Sequence, residues 1–378
     1  MSARSSSLLV AALVVVGCTG GPVLANPPAQ GQVAAVPSET PHVAIDDPMP
    51  VVLPRDDAPH ERLTEWWYYT GHLHDRAGHR FGFEFVIFRA ERGSFPVAWA
   101  SHFAITDEGG RRFVYAQRSE VGPQVDRRPD HAGGGFDLAL GSQTPTTWSM
   151  SGGDGRDRLS ASFGEDEASD RTTDVSLDLD VTSTKPPALH DRDGWIAFGA
   201  AGGSYYYSRT RMTVKGAIVL NNQPTRVDGE AWFDHQWGDF IAVGGGGWDW
   251  FAVNLDDGRD ITLSLVRDRD GSYPLVYGTE VGVDGTSRHL ERSAFAVEVI
   301  DDWTSPATGA TYPAGWRIRI PDEELIVDLR PTVPDQELDT RPTSGVVYWE
   351  GSQKVTATRR GQQLGGEAYV ELTGYGPG

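Results

Sequence analysis

Four segments of the sequence embed ionisable side chains among large aromatic residues: 65–69, 204–211, 229–238 and 247–251. Their acidic members include Glu65, Asp234 and Asp249. Aromatic surroundings solvate a carboxylate poorly and raise its pKa, so each of the three is a candidate proton donor at neutral pH. Because a Trp or Tyr face stabilises a cation by about 0.5–2 kcal/mol, acids lined by rings suit chemistry through a carbocation, such as protonation of an isolated alkene.

The third segment also contains His235, directly after Asp234. Neighbouring residues of a strand point to opposite faces, so these two side chains are not expected to form a catalytic pair unless the strand bulges. We predict His235 as the general acid/base and Asp249 as its carboxylate.

The residues around these acids are predicted to line a ligand site: Trp66, Trp67, Tyr69, Tyr206, Trp237, Trp248, Trp250 and Arg209. A structural interpretation remains open, because aromatic residues also fill β-barrel interiors and nearby acids then accept hydrogen bonds from indole or backbone N–H groups. Arg209 and Arg211 are predicted to be ion-pair partners of such acids.

Other chemistries are less well supported by the sequence. His72 and His74 would share one strand face, and His102 or His190 could join them around a metal. Because no cysteine assists and no third ligand follows at a diagnostic spacing, we predict no metal. The sequence also lacks a Gly-x-Ser-x-Gly nucleophile elbow, a phosphate-binding loop and a dinucleotide fingerprint, and no cofactor is predicted.

The elements that position these residues are predicted to be short strands. Segment 65–89 contains two aromatic and β-branched arms around a glycine turn, and 247–268 repeats the pattern. The chain also has 45 Gly and 24 Pro, which leave little room for long helices. We therefore predict an all-β fold of antiparallel sheets in two related domains, 56–238 and 239–378, meeting near the glycine run 244–247.

Composition limits the possible partners. The 378 residues exceed one small domain, and 39% hydrophobic with 10% aromatic residues excludes disorder along the whole chain. A formal charge of −20 repels nucleic-acid phosphates, so nucleic acid is not an expected partner.

The N-terminus has the layout of a secretory signal, with Arg4, the apolar run 8–16 and a small residue before Cys18. We predict a lipoprotein signal at 1–17, lipidation of Cys18 and a flexible tether at 18–55; cleavage after Ala25 is the alternative. Cys18 is the only cysteine, so no intrachain disulfide is possible. The expected location is the cell envelope, as a periplasmic or outer-membrane lipoprotein that meets the membrane only through its lipid anchor.

The sequence also contains seven characteristic segments, which follow one another in this order: 65–71, 101–107, 185–187, 206–210, 234–237, 247–251 and 369–375. With them, the chain from about Leu63 to Tyr375 resembles the carotenoid 1,2-hydratase/AttH-like family. The resemblance implies two lipocalin-like β-barrels in tandem. It also implies cofactor-independent hydration of a terminal isoprenoid double bond, with a His-x-Trp motif matching His235 and Trp237. Segment 262–265 lacks the acid that the hydratases carry there.

Together these observations predict an exported lipocalin-like protein that binds a hydrophobic, isoprenoid or lipid-like ligand. Its predicted reaction is cofactor-independent hydration or related acid/base chemistry, as in a hydro-lyase. A non-catalytic carrier of apolar ligands is the alternative, because the same aromatic residues would then be pocket walls. A structural interaction module is the third possibility.

Overall fold

The structure, a computed structural model, describes residues 47–141, 144, 146–240 and 246–376. In these residues strands dominate, and the helices are single 3₁₀ turns at Arg55–Asp57, Pro123–Val125, Gly199–Ala201, Arg292–Ala294 and Pro321–Glu323. The predicted all-β fold is confirmed. None of the described helices is long and apolar enough to cross a membrane. The predicted signal, Cys18 and the tether up to residue 46 lie outside the described residues, as does 241–245.

The first sheet is a nearly closed antiparallel barrel, called barrel 1 below. Its main path runs β4-β3-β2-β1-β12-β11-β8-β7-β6-β5, and β9 and β10 both pair with β11. Its strands are β1 Thr64–His74, β2 Arg80–Ala90, β3 Ala98–Asp107, β4 Arg112–Val121, β5 Phe136–Leu140, β6 Trp148–Gly153, β7 Arg156–Phe163, β8 Val175–Ser183, β9 Ala188–Leu189, β10 Trp195–Ala197, β11 Gly203–Leu220 and β12 Gln223–Gly238.

The second sheet is an antiparallel half-barrel, called barrel 2 below. Its order is β16-β15-β14-β13-β22-β21-β19-β18-β17, with β20 paired to β21. Its strands are β13 Gly247–Leu255, β14 Asp260–Arg267, β15 Leu275–Val281, β16 Ser287–Glu291, β17 Ala296–Thr304, β18 Thr311–Ile320, β19 Leu325–Pro331, β20 Glu337–Asp339, β21 Val347–Arg359 and β22 Gln362–Thr373.

Strand alternation sorts the side chains of each sheet between two buried faces. In β1, Trp67 and Tyr69 belong to the core of barrel 1, whereas Tyr68 belongs to a cluster shared with Trp250 of barrel 2. In β2 the predicted apolar face, which includes Phe83 and Phe85, does lie in the barrel 1 core. Because both faces are covered, β1 and β2 are buried along most of their length, and β12 is buried from Ala231 to Gly238.

The two predicted hairpins hold equivalent positions in the two barrels. In barrel 1, Trp67 lies opposite Ile87 and His235 on its neighbouring strands. In barrel 2, Phe251 lies opposite Leu263 and Val370 in the same arrangement. Glu65 and Asp249 each lie two residues before the central aromatic residue and are therefore equivalent to each other.

Residues 47–63 fold onto barrel 1 instead of forming a free linker. Val51 and Leu53 pack against its core, and the 3₁₀ turn Arg55–Asp57 follows directly. Arg62 forms ion pairs with Asp47 and Asp239, which fastens both ends of the segment. The predicted tether at 18–55 is therefore wrong for its last nine residues, because apolar and ion-pair contacts over long sequence separations leave no periodic signal.

Candidate functional site

His235 lies on the inner face of β12, in the interior of barrel 1, with no exposed side-chain surface. Its ring stacks on Trp67 with centroids 4.7 Å apart, and Trp237 lies at the same distance on a tilted plane. Tyr207 meets the ring edge-on at 5.5 Å. Three of the predicted site residues, His235, Trp67 and Trp237, are thus brought together.

The carboxylate partner of His235 is Glu65. Its Oε1 atom lies 2.9 Å from His235 Nε2 and 2.7 Å from His60 Nδ1, while the His60 backbone N–H donates to Oε2 at 2.9 Å. Burial by itself would raise the pKa of Glu65, but the charge of His60 and the hydrogen bonds from both histidines lower it to about 2. Glu65 is therefore an ionised acceptor and not the proton donor that aromatic surroundings alone predict.

His60, in the segment before β1, is the member of this group that sequence analysis missed. Its ring stacks on Trp237 with centroids 4.2 Å apart, and its Nε2 lies 3.7 Å from Asp56. Burial opposes the charged form, but the carboxylates of Glu65 and Asp56 outweigh it and raise the pKa of His60. His60, Glu65 and His235 are called the triad below. With 21% of its side chain exposed, His60 is the member of the triad that reaches the surface.

The hydrogen bonds assign the proton on His235. Because Nε2 faces an ionised carboxylate, Nε2 carries the hydrogen and Nδ1 presents a lone pair. Nδ1 is buried and has no hydrogen-bond partner among the described residues. Burial lowers the pKa of His235 despite the neighbouring carboxylate, so the ring is neutral at physiological pH and Nδ1 can accept a proton.

The donor atoms of His60, Glu65 and His235 lie within 4.8 Å of one another and could hold a metal ion. Coordination through His235 Nε2 would require the proton to sit on Nδ1, where it finds no acceptor, whereas ligating histidines normally donate that proton to a partner. The hydrogen-bonded triad therefore fits the geometry better than a metal centre does.

The histidines that sequence analysis considered for a metal do not join this group. His72 contacts the Ala368 carbonyl at 3.0 Å, and His102 contacts the Tyr348 hydroxyl at 2.7 Å. His190 lies 2.6 Å from Ser208 Oγ and 2.9 Å from Thr279 Oγ1. Each contacts a residue of barrel 2 across the interface between the two sheets. This interface, where Tyr68 and Trp232 of barrel 1 pack on Trp250 and Tyr369 of barrel 2, is called the seam below.

Asp249 lies inside barrel 2, so its predicted pairing with His235 is wrong. Its carboxylate accepts hydrogen bonds from the Tyr375 hydroxyl at 3.0 and 3.1 Å and lies 3.3 Å from Arg267. Burial raises its pKa to about 6. Asp249 holds the barrel 2 position equivalent to that of Glu65, but Val370 replaces the histidine there.

Asp234 points away from His235, as strand alternation predicts. Between the sheets it accepts hydrogen bonds from Ser208, from Tyr206 at 2.6 Å and from Trp232 Nε1 at 2.6 Å. Burial raises its pKa to about 7. Trp250 donates to Tyr206 at 3.0 Å, so these two predicted ligand-site residues belong to the seam between the sheets and not to the His235 site.

The remaining residues predicted for the ligand site or for ion pairs lie either in the core of barrel 1 or beside the interface between the sheets. Arg209 pairs with buried Asp57, 3.1 Å away, and Arg211 pairs with Asp260 at 2.8 Å. Both arginines thus form ion pairs, but with other acids than the three candidate proton donors. Tyr69 is buried and donates to Asp157 at 2.9 Å. Trp66 and Trp248 are half-buried and pack beside the shared aromatic cluster.

Access to His235 is limited. A groove of about 1150 Å³ lies between the sheets, with Arg80, Glu230 and Lys354 among its charged lining residues, but no member of the triad lines it. A second groove, of about 370 Å³, lies beside Arg259 and Glu323 in barrel 2. Because the His235 side chain has no exposed surface, a substrate reaches Nδ1 only if neighbouring residues move aside.

Comparisons with known proteins agree with this architecture. A family model described as AttH-like matches residues 44–375. The crystal structure of an AttH candidate from Nitrosomonas europaea is 30% identical, covers 86% of this chain and 98% of that one, and has a TM-score of 0.73. Kievitone hydratase from Nectria haematococca shares the fold at 14% identity and a TM-score of 0.67, over 86% of this chain and 93% of that one.

One curated relative also matches. The dehydratase asqC of Emericella nidulans is 20% identical over 171 residues, which are 43% of this chain. The aligned region spans 48% of that protein, so the chain matches about half the length of this relative.

Proposed function

Because the chain belongs to the AttH-like family, whose match covers residues 44–375, we propose that it adds or removes water at a double bond of a hydrophobic substrate. The observation that carries the proposal is the His235 Nδ1 atom, which is buried among aromatic rings and has no partner in the described part of the chain, while Nε2 is held by Glu65. The names of two similar proteins, a hydratase and a dehydratase, support the same class of reaction.

In this proposal one atom moves the proton in both directions. Neutral His235 Nδ1 removes a proton from the carbon next to the hydroxyl-bearing carbon, and the electron pair of that C–H bond forms the double bond as the C–O bond breaks. The proton on Nδ1 passes to the leaving hydroxyl, which departs as water. Hydration is the exact reverse of these steps, so no external acid, base or cofactor is consumed.

The surroundings of the ring stabilise the charge that this step creates. When His235 becomes an imidazolium, Glu65 lies 2.9 Å away, and the faces of Trp67 and Trp237 lie 4.7 Å from the ring centroid. Cation–π contacts of this kind contribute about 0.5–2 kcal/mol each. His60 acts as a positioning residue, because it fixes the orientation and the charge of Glu65.

The resting state also favours one substrate class. Protonating an isolated alkene requires an imidazolium from the start, whereas burial keeps His235 neutral. Chemistry that begins with proton removal therefore fits better, and it needs a carbon acid activated by an adjacent carbonyl. We accordingly propose hydrophobic β-hydroxy carbonyl compounds and their unsaturated partners as substrates, ahead of simple isoprenoid alkenes.

The test uses two pairs of probes in water enriched in heavy oxygen: a medium-chain β-hydroxy ester with its α,β-unsaturated ester, and a tertiary terpene alcohol with its alkene. We expect label to enter the alcohol of the first pair, and we expect His235→Gln to abolish incorporation. Turnover of the terpene pair alone would overturn the substrate assignment. A probe that binds and is recovered unchanged would instead indicate a carrier of apolar ligands.

We also propose that the chain acts in the cell envelope, anchored by a lipid on Cys18. The support is the apolar run 8–16, which is followed by the small Gly17 and then by that cysteine. Mass analysis of the chain extracted from membranes should find a diacylated cysteine at its N-terminus. An unmodified chain that begins at Asn26 would rule out the anchor and favour cleavage after Ala25.

A further inference from the structure

Two glutamates lie buried in the seam where barrel 1 packs on barrel 2, and neither has a cationic partner among the described residues. Glu84 on β2 is 1% exposed and Glu350 on β21 is 0% exposed. Glu84 Oε1 accepts a hydrogen bond from Tyr348 at 2.8 Å, and Glu350 Oε1 accepts one from Tyr68 at 2.8 Å. In each carboxyl the second oxygen, Oε2, is buried without a hydrogen-bond partner among the described residues.

The groups that face these carboxyls are acidic or neutral. The two carboxyls interact electrostatically with each other and with Tyr348 of β21, Tyr68 of β1, Tyr369 and Glu371 of β22, and Asp234 of β12. His102 on β3 reaches the network through Tyr348, and burial lowers its pKa to about 3, which leaves it neutral. No Lys or Arg within 47–141, 146–240 or 246–376 forms an ion pair with Glu84 or Glu350.

An unpaired buried carboxylate is too costly to persist, so such a group takes up a proton instead. Burial, followed by the neighbouring acids, raises the pKa of Glu350, and burial likewise raises that of Glu84. Glu371 lies directly opposite Glu350 across the β21–β22 ladder and is half-buried. Ionisation of the group would therefore place like charges against each other in the seam.

We propose that Glu84 and Glu350 form a proton-dependent latch between the two barrels. When both side chains are neutral acids, they keep the hydrogen bonds with their tyrosine partners and the two sheets can pack face to face. When the protons are lost, repulsion and the need for hydration drive the sheets apart along this seam. The latch is independent of the chemistry proposed at His235.

The direction of the pH effect follows from linkage. A carboxyl whose pKa is higher in the folded chain than in the unfolded chain binds more protons when folded. Its contribution is fully present below the unfolded-state value and is lost as pH rises through the folded-state value. The contact between the barrels is therefore expected to weaken from mildly acidic to mildly alkaline pH.

The experiment uses the full chain and two readouts. Infrared spectroscopy in D₂O should show the carbonyl stretch of a protonated carboxyl at about pH 6, and the band should disappear as pH rises. Glu84→Gln and Glu350→Gln should each reduce this band, because glutamine copies the shape of a neutral acid but cannot ionise. Glu298→Gln, on an exposed residue of β17, is the matched control and should leave the band intact.

Thermal unfolding provides the second readout. The wild-type midpoint should fall by several degrees between about pH 6 and about pH 8.5, and the Glu84→Gln/Glu350→Gln double variant should lose less over the same range. If the double variant does not fold, the wild-type band and the single variants decide. Absence of the wild-type band at about pH 6, or equal pH sensitivity of wild type and folded double variant, would overturn the latch.

Discussion

Three buried acidic residues of this protein differ in their pKa according to their partners. Glu65, Asp234 and Asp249 are all buried acids among aromatic residues. Glu65 is held ionised by two histidines, whereas burial without a strong enough cation raises the pKa of Asp234 to about 7 and that of Asp249 to about 6. The partner within hydrogen-bond distance, and not the aromatic surroundings, decides which acid can assist a base.

A direct test compares Glu65→Gln with Asp249→Asn, which change equivalent positions in the two barrels. We expect Glu65→Gln to reduce turnover by about 10²- to 10⁴-fold, because the His235 tautomer and the developing imidazolium lose their anion. Asp249→Asn should retain turnover, since Asp249 contacts Tyr375 and Arg267 and not His235. Equal losses in both variants, measured on folded protein, would return Asp249 to the site.

The pH profile of turnover should have an acidic limb set by His235 and an alkaline limb set by His60. His235 must be neutral to accept a proton, so turnover should rise through a pKa that burial holds below the usual 6.5 of histidine. On the alkaline side, deprotonation of His60 removes the cation that holds Glu65, and turnover should fall above the raised pKa of His60. His60→Asn should remove the alkaline limb; a profile unchanged in that variant would exclude the positioning role.

At the scale of elements, strand alternation gives β1, β2 and β12 two working faces. One face of these strands fills barrel 1 and carries His235, and the other meets barrel 2 and carries Tyr68 and Glu84. At Gly82, strand β2 approaches barrel 2 so closely that a larger residue would not fit without a shift of its neighbours. A Cβ at Gly82 would lie 2.6 Å from the Tyr369 hydroxyl and 2.8 Å from Ser352 Cβ.

Gly82→Ala should therefore act as a wedge between the sheets. Overpacking of this kind costs about 1–3 kcal/mol, so we expect the free energy of unfolding in urea to fall by that amount. Gly109→Ala is the matched control, because the nearest atom to its Cβ is Asp107 Oδ1 at 3.7 Å. Equal stability of the two variants would show that the seam adjusts without strain.

At the scale of the whole molecule, a buried ion cluster ties the barrels together away from the latch. Asp260, at the start of β14, is 0% exposed and lies 2.7 Å from Lys185 and 2.8 Å from Arg211, both on the barrel 1 side. Thr210 and Asn254 also donate to it, at 2.8 and 2.7 Å. The contact between barrels is thus held by specific polar groups as well as by the aromatic cluster.

Asp260→Asn should destabilise the whole chain, because buried Lys185 would lose its anion and Arg211 would keep only Glu230. Removing one partner of a buried ion pair costs roughly 3–5 kcal/mol. The control is Asp328→Asn, which breaks the partly exposed pair with Arg317 and should cost about 0–1 kcal/mol. Urea unfolding of both variants measures the difference, and a loss under about 1 kcal/mol for Asp260→Asn would contradict the role assigned to the cluster.

The sequence by itself determined the local features of this protein. Alternating apolar residues and glycine turns specified the strands and the paired hairpins, and the two-residue period placed Asp234 and His235 on opposite faces. These patterns act between residues close in the chain, so they can be read without knowing the fold. The family blocks likewise marked the tandem barrels.

Only the tertiary structure decided which acid meets His235. Glu65 lies 170 residues away in sequence, and the β1–β12 register brings them together. His60 enters the site because its segment folds over the barrel, and Asp249 leaves it because the equivalent strand belongs to the other barrel. Such pairings depend on which strands become neighbours, and that follows from burying the whole core at once, which no local pattern of residues encodes.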